Sequence, residues 1–133
     1  MKNILLTALL CVCMAPPVCA AAHTRGFSDT PPEVQYLRPR DNAEIDTTGG
    51  GPIVFKWRLT PIPSGWRRYY EIRVFKGFTE EVVAKELLDR NASSFEIDSA
   101  TFMRGQLYTW QVRQRDQGGM WSRPRRWKFT IKE

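Results

Sequence analysis

Apolar residues that alternate with polar ones in short runs, separated by turn-forming residues, predict an all-β chain. The expected fold is a two-sheet antiparallel β-sandwich of about seven strands. Ile53, Phe55, Trp57 and Leu59 share one parity, with Lys56 and Arg58 on the other. Tyr70, Ile72 and Val74 repeat this against Glu71 and Arg73, Tyr108, Trp110 and Val112 against Thr109, Gln111 and Arg113, and Trp127, Phe129 and Ile131 against Lys128 and Thr130. Period two means one face buried and one wet. The intervals carry turn chemistry: 47–52 (Thr-Thr-Gly-Gly-Gly-Pro), 61–65 (Pro-Ile-Pro-Ser-Gly) and 116–119 (Asp-Gln-Gly-Gly). The 133 residues and 42% hydrophobic content suit one ordinary globular domain.

The chain begins with a segment that does not belong to the fold. Lys2 gives a positive start, the largely apolar run Ile4 to Met14 follows, Pro16 and Pro17 break it, and Ala20, Ala21 and Ala22 close it. This is the three-part pattern of a secretory signal peptide over residues 1–22, cut after Ala20 or Ala22. The run is shorter than the ~20 residues that a bilayer requires. Either cut removes Cys11, Cys13 and Cys19. Large residues before these cysteines (Leu10, Val12, Val18) speak against a lipid-anchored cysteine. The exported chain then has no disulfide, and its stability must come from a hydrophobic core. Residues 23–31, with Gly26, Ser28 and Pro31, read as a flexible lead-in. Residues 32–133 form the domain.

Within the domain, Phe95 and Ile97 make a short strand. Phe78 to Asp89 is ambiguous: good helix formers surround Val82, Val83, Leu87 and Leu88 without a clean helical face, so an irregular crossover with a strand or one helical turn is expected. The expected core contains Trp57, Tyr70, Ile72, Phe95, Tyr108, Trp110, Val112 and Phe129.

The ordered motifs resemble a fibronectin type III domain of bacterial exported type, within the immunoglobulin-like superfamily. Leu37-Arg38-Pro39 is similar to the Leu-x-Pro of its first strand. Trp57 sits where that fold places its second-strand tryptophan. Residues 102–108, Phe-Met-Arg-Gly-Gln-Leu-Tyr, resemble its hydrophobic-x-x-Gly-x-x-Tyr corner, in which a tyrosine hydroxyl bonds to nearby backbone. Residues 119–124, Gly-Met-Trp-Ser-Arg-Pro, resemble the Gly-x-Trp-Ser turn of bacterial members. The resemblance implies adhesion, spacing or ligand recognition, and leaves the partner open.

The inventory of chemical groups is poor. His23 is the chain's one histidine and lies in the lead-in, with no rigid element to hold it beside a nucleophile. The exported chain lacks the His and Cys ligands of a zinc site. Cleavage after Ala20 alone would create an Ala-Ala-His terminus able to take copper(II) or nickel(II). Glu71, Glu96, Asp98 and Asp116 carry no spacing that marks two as a convergent pair. No catalytic residue, metal site or cofactor is therefore assigned, and an enzyme is not expected. Asn91-Ala92-Ser93 is a glycosylation sequon without consequence in a bacterial context.

The strongest surface signal is arginine with aromatics. The sequence carries a net charge of +6. Arg73, Arg113, Arg115, Arg126 and Lys128 share outward parity and form a candidate binding face for acidic glycans or lipopolysaccharide phosphates. In the structural alternative Arg113 and Arg115 stack on Trp121 as cation–π layers, similar to the tryptophan–arginine ladder of cytokine-receptor relatives. Trp66, with Arg67 and Arg68, is a candidate loop-tip contact. The expected function is a non-catalytic exported binding or adhesion module, periplasmic or secreted, whose partner is a protein or an anionic glycan or lipid. No specific nucleic acid is expected, and no membrane span in the exported chain. The alternative is a structural accessory subunit of an envelope or secreted assembly.

Overall fold

A computed structural model describes residues 30–61, 67–89, 91–117 and 119–133. The signal segment, most of the lead-in and Trp66 lie outside the described residues. The described chain is a two-sheet β-sandwich. Its strands are β1 (Gln35–Arg38), β2 (Ala43–Ile45), β3 (Pro52–Arg58), β4 (Tyr69–Lys76), β5 (Val82–Leu88), β6 (Ser94–Asp98), β7 (Leu107–Arg115) and β8 (Trp127–Ile131). A three-stranded sheet runs β1-β3-β6 and a five-stranded sheet runs β2-β8-β7-β4-β5. Every pairing is antiparallel except β2 with β8.

Alternation explains the core. Ile53, Phe55 and Trp57 of β3 face Tyr70, Ile72 and Val74 of β4, Tyr108, Trp110 and Val112 of β7, and Phe129 and Ile131 of β8, all buried. The rings interlock edge to face: Phe55 meets Trp110 at 5.2 Å and Phe129 at 5.7 Å between centroids. Such pairs contribute about 0.5–1.5 kcal/mol each beyond their area. Tyr36 of β1 stacks on Trp110 at 4.6 Å. Its hydroxyl accepts from the Val112 N–H (2.8 Å) and donates to main-chain carbonyls, those of Val112 and Arg125 being within reach. Burial pushes that hydroxyl up to about 12. The corner after β6 has the expected bond: the Met103 N–H donates to the Tyr108 hydroxyl at 2.8 Å, with Gly105 at φ +73° in the turn.

Four details depart from the sequence reading. The described residues form eight strands, because the chain leaves the small sheet after Arg38 and resumes as the short β2 on the large one. In the first strand Tyr36, paired with Trp57, points inward, and Leu37 is 39% exposed. The ambiguous segment is β5, a regular partner of β4, its helix formers overridden by the edge that β4 offers. Phe95 packs only half-buried against the core, because β6 is an edge strand.

Candidate functional site

The most elaborate surface lies on the outer face of the five-stranded sheet. Register places Tyr69 opposite Arg115, Glu71 opposite Arg113, Arg73 opposite Gln111 and Phe75 opposite Thr109. Paired residues of an antiparallel ladder share a face, so these side chains form rows across β4 and β7. The segment between β7 and β8 then folds back over them. Ser122 pins it: its N–H donates to the Gln114 carbonyl at 2.8 Å, and its hydroxyl accepts from the Gln114 N–H at 3.0 Å. A bridge between Arg115 and Trp121 continues this contact. Trp121 is thereby laid across β7.

The guanidinium carbon of Arg113 sits 4.9 Å from the Trp121 ring centre and that of Arg115 5.1 Å from it. Arg115 also covers Tyr69 at 5.5 Å. The order along the face is Tyr69, Arg115, Trp121, Arg113, with Arg115 between two rings and Arg113 against one. Further along, Arg126 lies 3.8 Å over Phe75 and donates to both carboxylate oxygens of Glu80, at 2.8 and 2.9 Å. These layers explain why Thr109, Gln111 and Phe75 are buried although they point away from the core.

Glu71 is the centre of the charge arrangement. Its side chain is 8% exposed, against the wet face that alternation predicts. Arg113 donates to its Oε1 at 2.7 Å, Arg73 Nε lies 2.8 Å from the same oxygen, and Lys85 stands 3.8 Å from Oε2. Burial alone would raise this carboxyl. The Arg113 and Arg73 guanidinium groups outweigh it and hold Glu71 below its ordinary value. It stays ionised near neutrality, and its oxygens are committed to side chains of the same sheet.

The predicted site residues therefore fall into distinct places. Arg73, Arg113, Arg115 and Arg126 come together on this face, each already stacked or ion-paired. Lys128 is half-buried beside it, paired with Thr109, its N–H bonded to Asp41. Arg67 is exposed and lines a 470 Å³ cleft with Tyr69, Asp89 and Asn91. Arg68 is not on display: it is buried just before β4, and its guanidinium donates to the Thr60 carbonyl. Of the acids considered for hydrolysis, Glu71 lies on the large sheet and Glu96 and Asp98 on the small one. Asp98 caps the short 3-10 turn Ser99–Thr101 by accepting from Ala100 N–H. Among the described residues no group of three or more His, Cys, Asp or Glu is placed to hold a metal ion. No helix among them is long and apolar enough to cross a membrane.

Sequence reasoning missed the groove where β1 crosses to β2. It measures 410 Å³ and is floored by Ala43, Ile45 and Ile53. Its signal was present in the paired Pro39 and Pro52 around a Gly-rich turn, but only the register shows that the two sheet edges part there.

No protein-family model matches the chain, and none of the curated proteins matches it in sequence. Solved structures do. The fibronectin(III)-like modules of Clostridium thermocellum CbhA superpose with a TM-score of 0.50 at 19% identity, over 74% of this chain and 96% of theirs. The Clostridium perfringens spore cortex lytic enzyme SleM superposes with a TM-score of 0.51 at 19% identity, over 75% of this chain. The chain spans 28% of the length of that enzyme. With three and five strands in two sheets, a tyrosine corner and a tryptophan layer over β7, this chain is a β-sandwich of the fibronectin type III-like fold.

Proposed function

We propose that the protein is a non-catalytic exported binding or adhesion module, working in the periplasm or outside the cell. The observation that carries this reading is the closed character of the polar cluster on the outer face of the large sheet. Glu71 is held ionised by Arg113 and Arg73, Arg126 is held by Glu80, and Ser122 is spent on Gln114. General acid–base work needs a group that titrates near the working pH and can reach a substrate. This cluster instead stiffens a sheet, and a stiff sandwich presents edges and loops to partners. The apolar run Ile4 to Met14 supports export.

The test is fractionation followed by affinity capture from an envelope extract, with the exported protein as bait. Retention in the cytoplasm would end the export reading. Turnover of a cell-wall or glycan substrate, abolished by changing one carboxylate, would end the non-catalytic one. A second reading, a structural accessory subunit of a larger envelope assembly, is favoured by β5. This edge strand of seven residues leaves Val82 44% and Leu87 55% exposed, and free edges pair readily with other chains. It requires a fixed protein partner at constant stoichiometry.

A further inference from the structure

The pairing of β1 with β3 stops early. Its register runs Gln35↔Arg58, Tyr36↔Trp57, Arg38↔Lys56 and ends there, because the chain crosses to the other sheet. On the opposite side β3 remains paired with β6 down to Pro52↔Asp98. The bonds to β6 use alternate residues: Trp57 N–H donates to Ser93, and Ser99 N–H donates to Gly51. By that alternation Val54 turns its N–H and C=O away from β6, into the 410 Å³ groove that it lines. The other wall is β2. Ile45 uses its carbonyl on Lys132 beside β8, so Glu44 carries its main-chain groups on the edge away from β8. The groove thus has the open edge of β3 on one wall and β2 on the other, with the apolar Ala43, Ile45 and Ile53 in its lining. From Pro52 to Phe55 it offers about 10 Å of strand, at ~3.3 Å per residue.

The charges at its rim differ from those of the arginine face. Arg38 and Arg40 line the groove, and no ion pair joins either to an acid among the described residues. Asp46, the acid in the lining, is turned onto its own loop, accepting from the Thr48 N–H at 2.9 Å and hydroxyl at 2.7 Å. Gly50 and Gly51, at φ +67° and +89°, bend that loop around the groove's end. Strand β1 is entered at the end remote from the groove, opposite Arg58.

We propose that this groove takes an extended segment of a partner protein, added as a strand beside β3 at Val54. The segment alternates apolar residues, which fill the floor over Ala43, Ile45 and Ile53, with Asp or Glu, which meet Arg38 and Arg40. Strand addition of this kind draws affinity from main-chain bonds and specificity from alternate side-chain pockets. The proposal rests on the binding-module reading and gives it a site and a partner chemistry.

The probe is a random 12-residue peptide library displayed on phage, selected against protein purified from cells that express the full chain. Enriched peptides are then synthesised and measured by fluorescence anisotropy. Alternating apolar and acidic sequences are expected. Val54→Pro, which removes the groove-facing N–H at an edge position that tolerates proline, should weaken binding at least tenfold, whereas Val54→Thr should not. Arg40→Glu, a surface change that leaves the backbone intact, should weaken it similarly, and Arg115→Ala should leave it unchanged. Hydrogen exchange should show the Val54 amide protected by the peptide. No enrichment, or enriched peptides indifferent to both Val54→Pro and Arg40→Glu, would overturn the groove. An envelope partner that both variants still capture would overturn the groove and leave the module reading standing. No partner for the wild-type chain, whatever the peptides do, would count against the module reading itself.

Discussion

Two arginines on one face of β7 provide a sharp comparison. Arg115 makes two ring contacts, to Trp121 at 5.1 Å and Tyr69 at 5.5 Å. Partly exposed contacts of this sort contribute about 0.5–1 kcal/mol each, so Arg115→Ala should cost about 1–2 kcal/mol. Arg113 makes one ring contact, to Trp121, and in addition bonds to Glu71 at 2.7 Å. Stranding a fully buried charge costs about 3–5 kcal/mol. Here the loss is smaller, because Arg73 still touches Glu71 and the Arg113 side chain is 21% exposed. Adding roughly 1–2 kcal/mol for this to the stacking loss of one ring puts Arg113→Ala at about 1.5–3 kcal/mol. At about 4–8 °C per kcal/mol for a domain of this size, calorimetry should resolve the two variants. The acid limb adds a second readout. Glu71 has a folded value below its ordinary 4.5, so it adds stability above that pH, and this stability is lost as pH falls through the folded value. Arg113→Ala should flatten that limb and Arg115→Ala should not. Equal losses from the two variants, or a larger loss from Arg115→Ala, would refute the assignment of Glu71 as the hub.

Four further outcomes are expected. Trp57→Ala, which empties a buried position against Tyr70, should cost about 3–5 kcal/mol by denaturant titration; a loss below about 1 kcal/mol would contradict the core assignment. Tyr108→Phe should cost about 1–2 kcal/mol through the lost Met103 N–H bond, and no loss would mean that water replaces it freely. The Tyr36 hydroxyl is raised from 10.0 to about 12, so its stabilisation is complete below pH 10 and is lost as pH rises towards 12. Thermal melts of Tyr36→Phe should show a shallower alkaline limb than wild type, and identical limbs would remove Tyr36 as the cause. On an anionic matrix, Arg113→Ala with Arg115→Ala should lower salt-sensitive retention no more than Lys56→Ala with Arg58→Ala on the other sheet, because Arg113 is already neutralised by Glu71; a markedly larger loss from the first pair would restore that face as an anion site.

The sandwich was legible because alternation records burial directly. In β3 the buried residues are Ile53, Phe55 and Trp57, as their parity requires. The same rule fails wherever a second layer covers the outer face. On β7 Thr109 and Gln111 are as buried as core residues, and on β4 Glu71 and Phe75 are too. Nothing in their spacing announces this, since the cover comes from Trp121 and Arg126, distant in sequence and placed by the Ser122 clamp on Gln114. Strand β5 was illegible for a related reason: a half-exposed edge strand keeps no apolar face, so 82–88 looks like neither helix nor strand until β4 stands beside it.

The arginines show that a count of charges does not by itself define a site. Arg73, Arg113, Arg115, Arg126 and Lys128 suggest an anion-binding patch when counted as charges. Their partners change the reading. An arginine laid over a ring and bonded to a carboxylate, as Arg113 and Arg126 are, has already exchanged its water for protein, and an incoming anion must compete with Glu71 or Glu80 for the same N–H groups. Among the described residues Arg38 and Arg40 face no such competitor, and they stand beside a strand edge left without its neighbour. The information that separates the two sets is which groups remain unpaired after folding, and that depends on the point at which β1 leaves β3. A single bulge between Tyr36 and Arg38, followed by Pro39, decides it: the strand that would have covered Val54 is diverted to β8, and the groove is what it leaves behind.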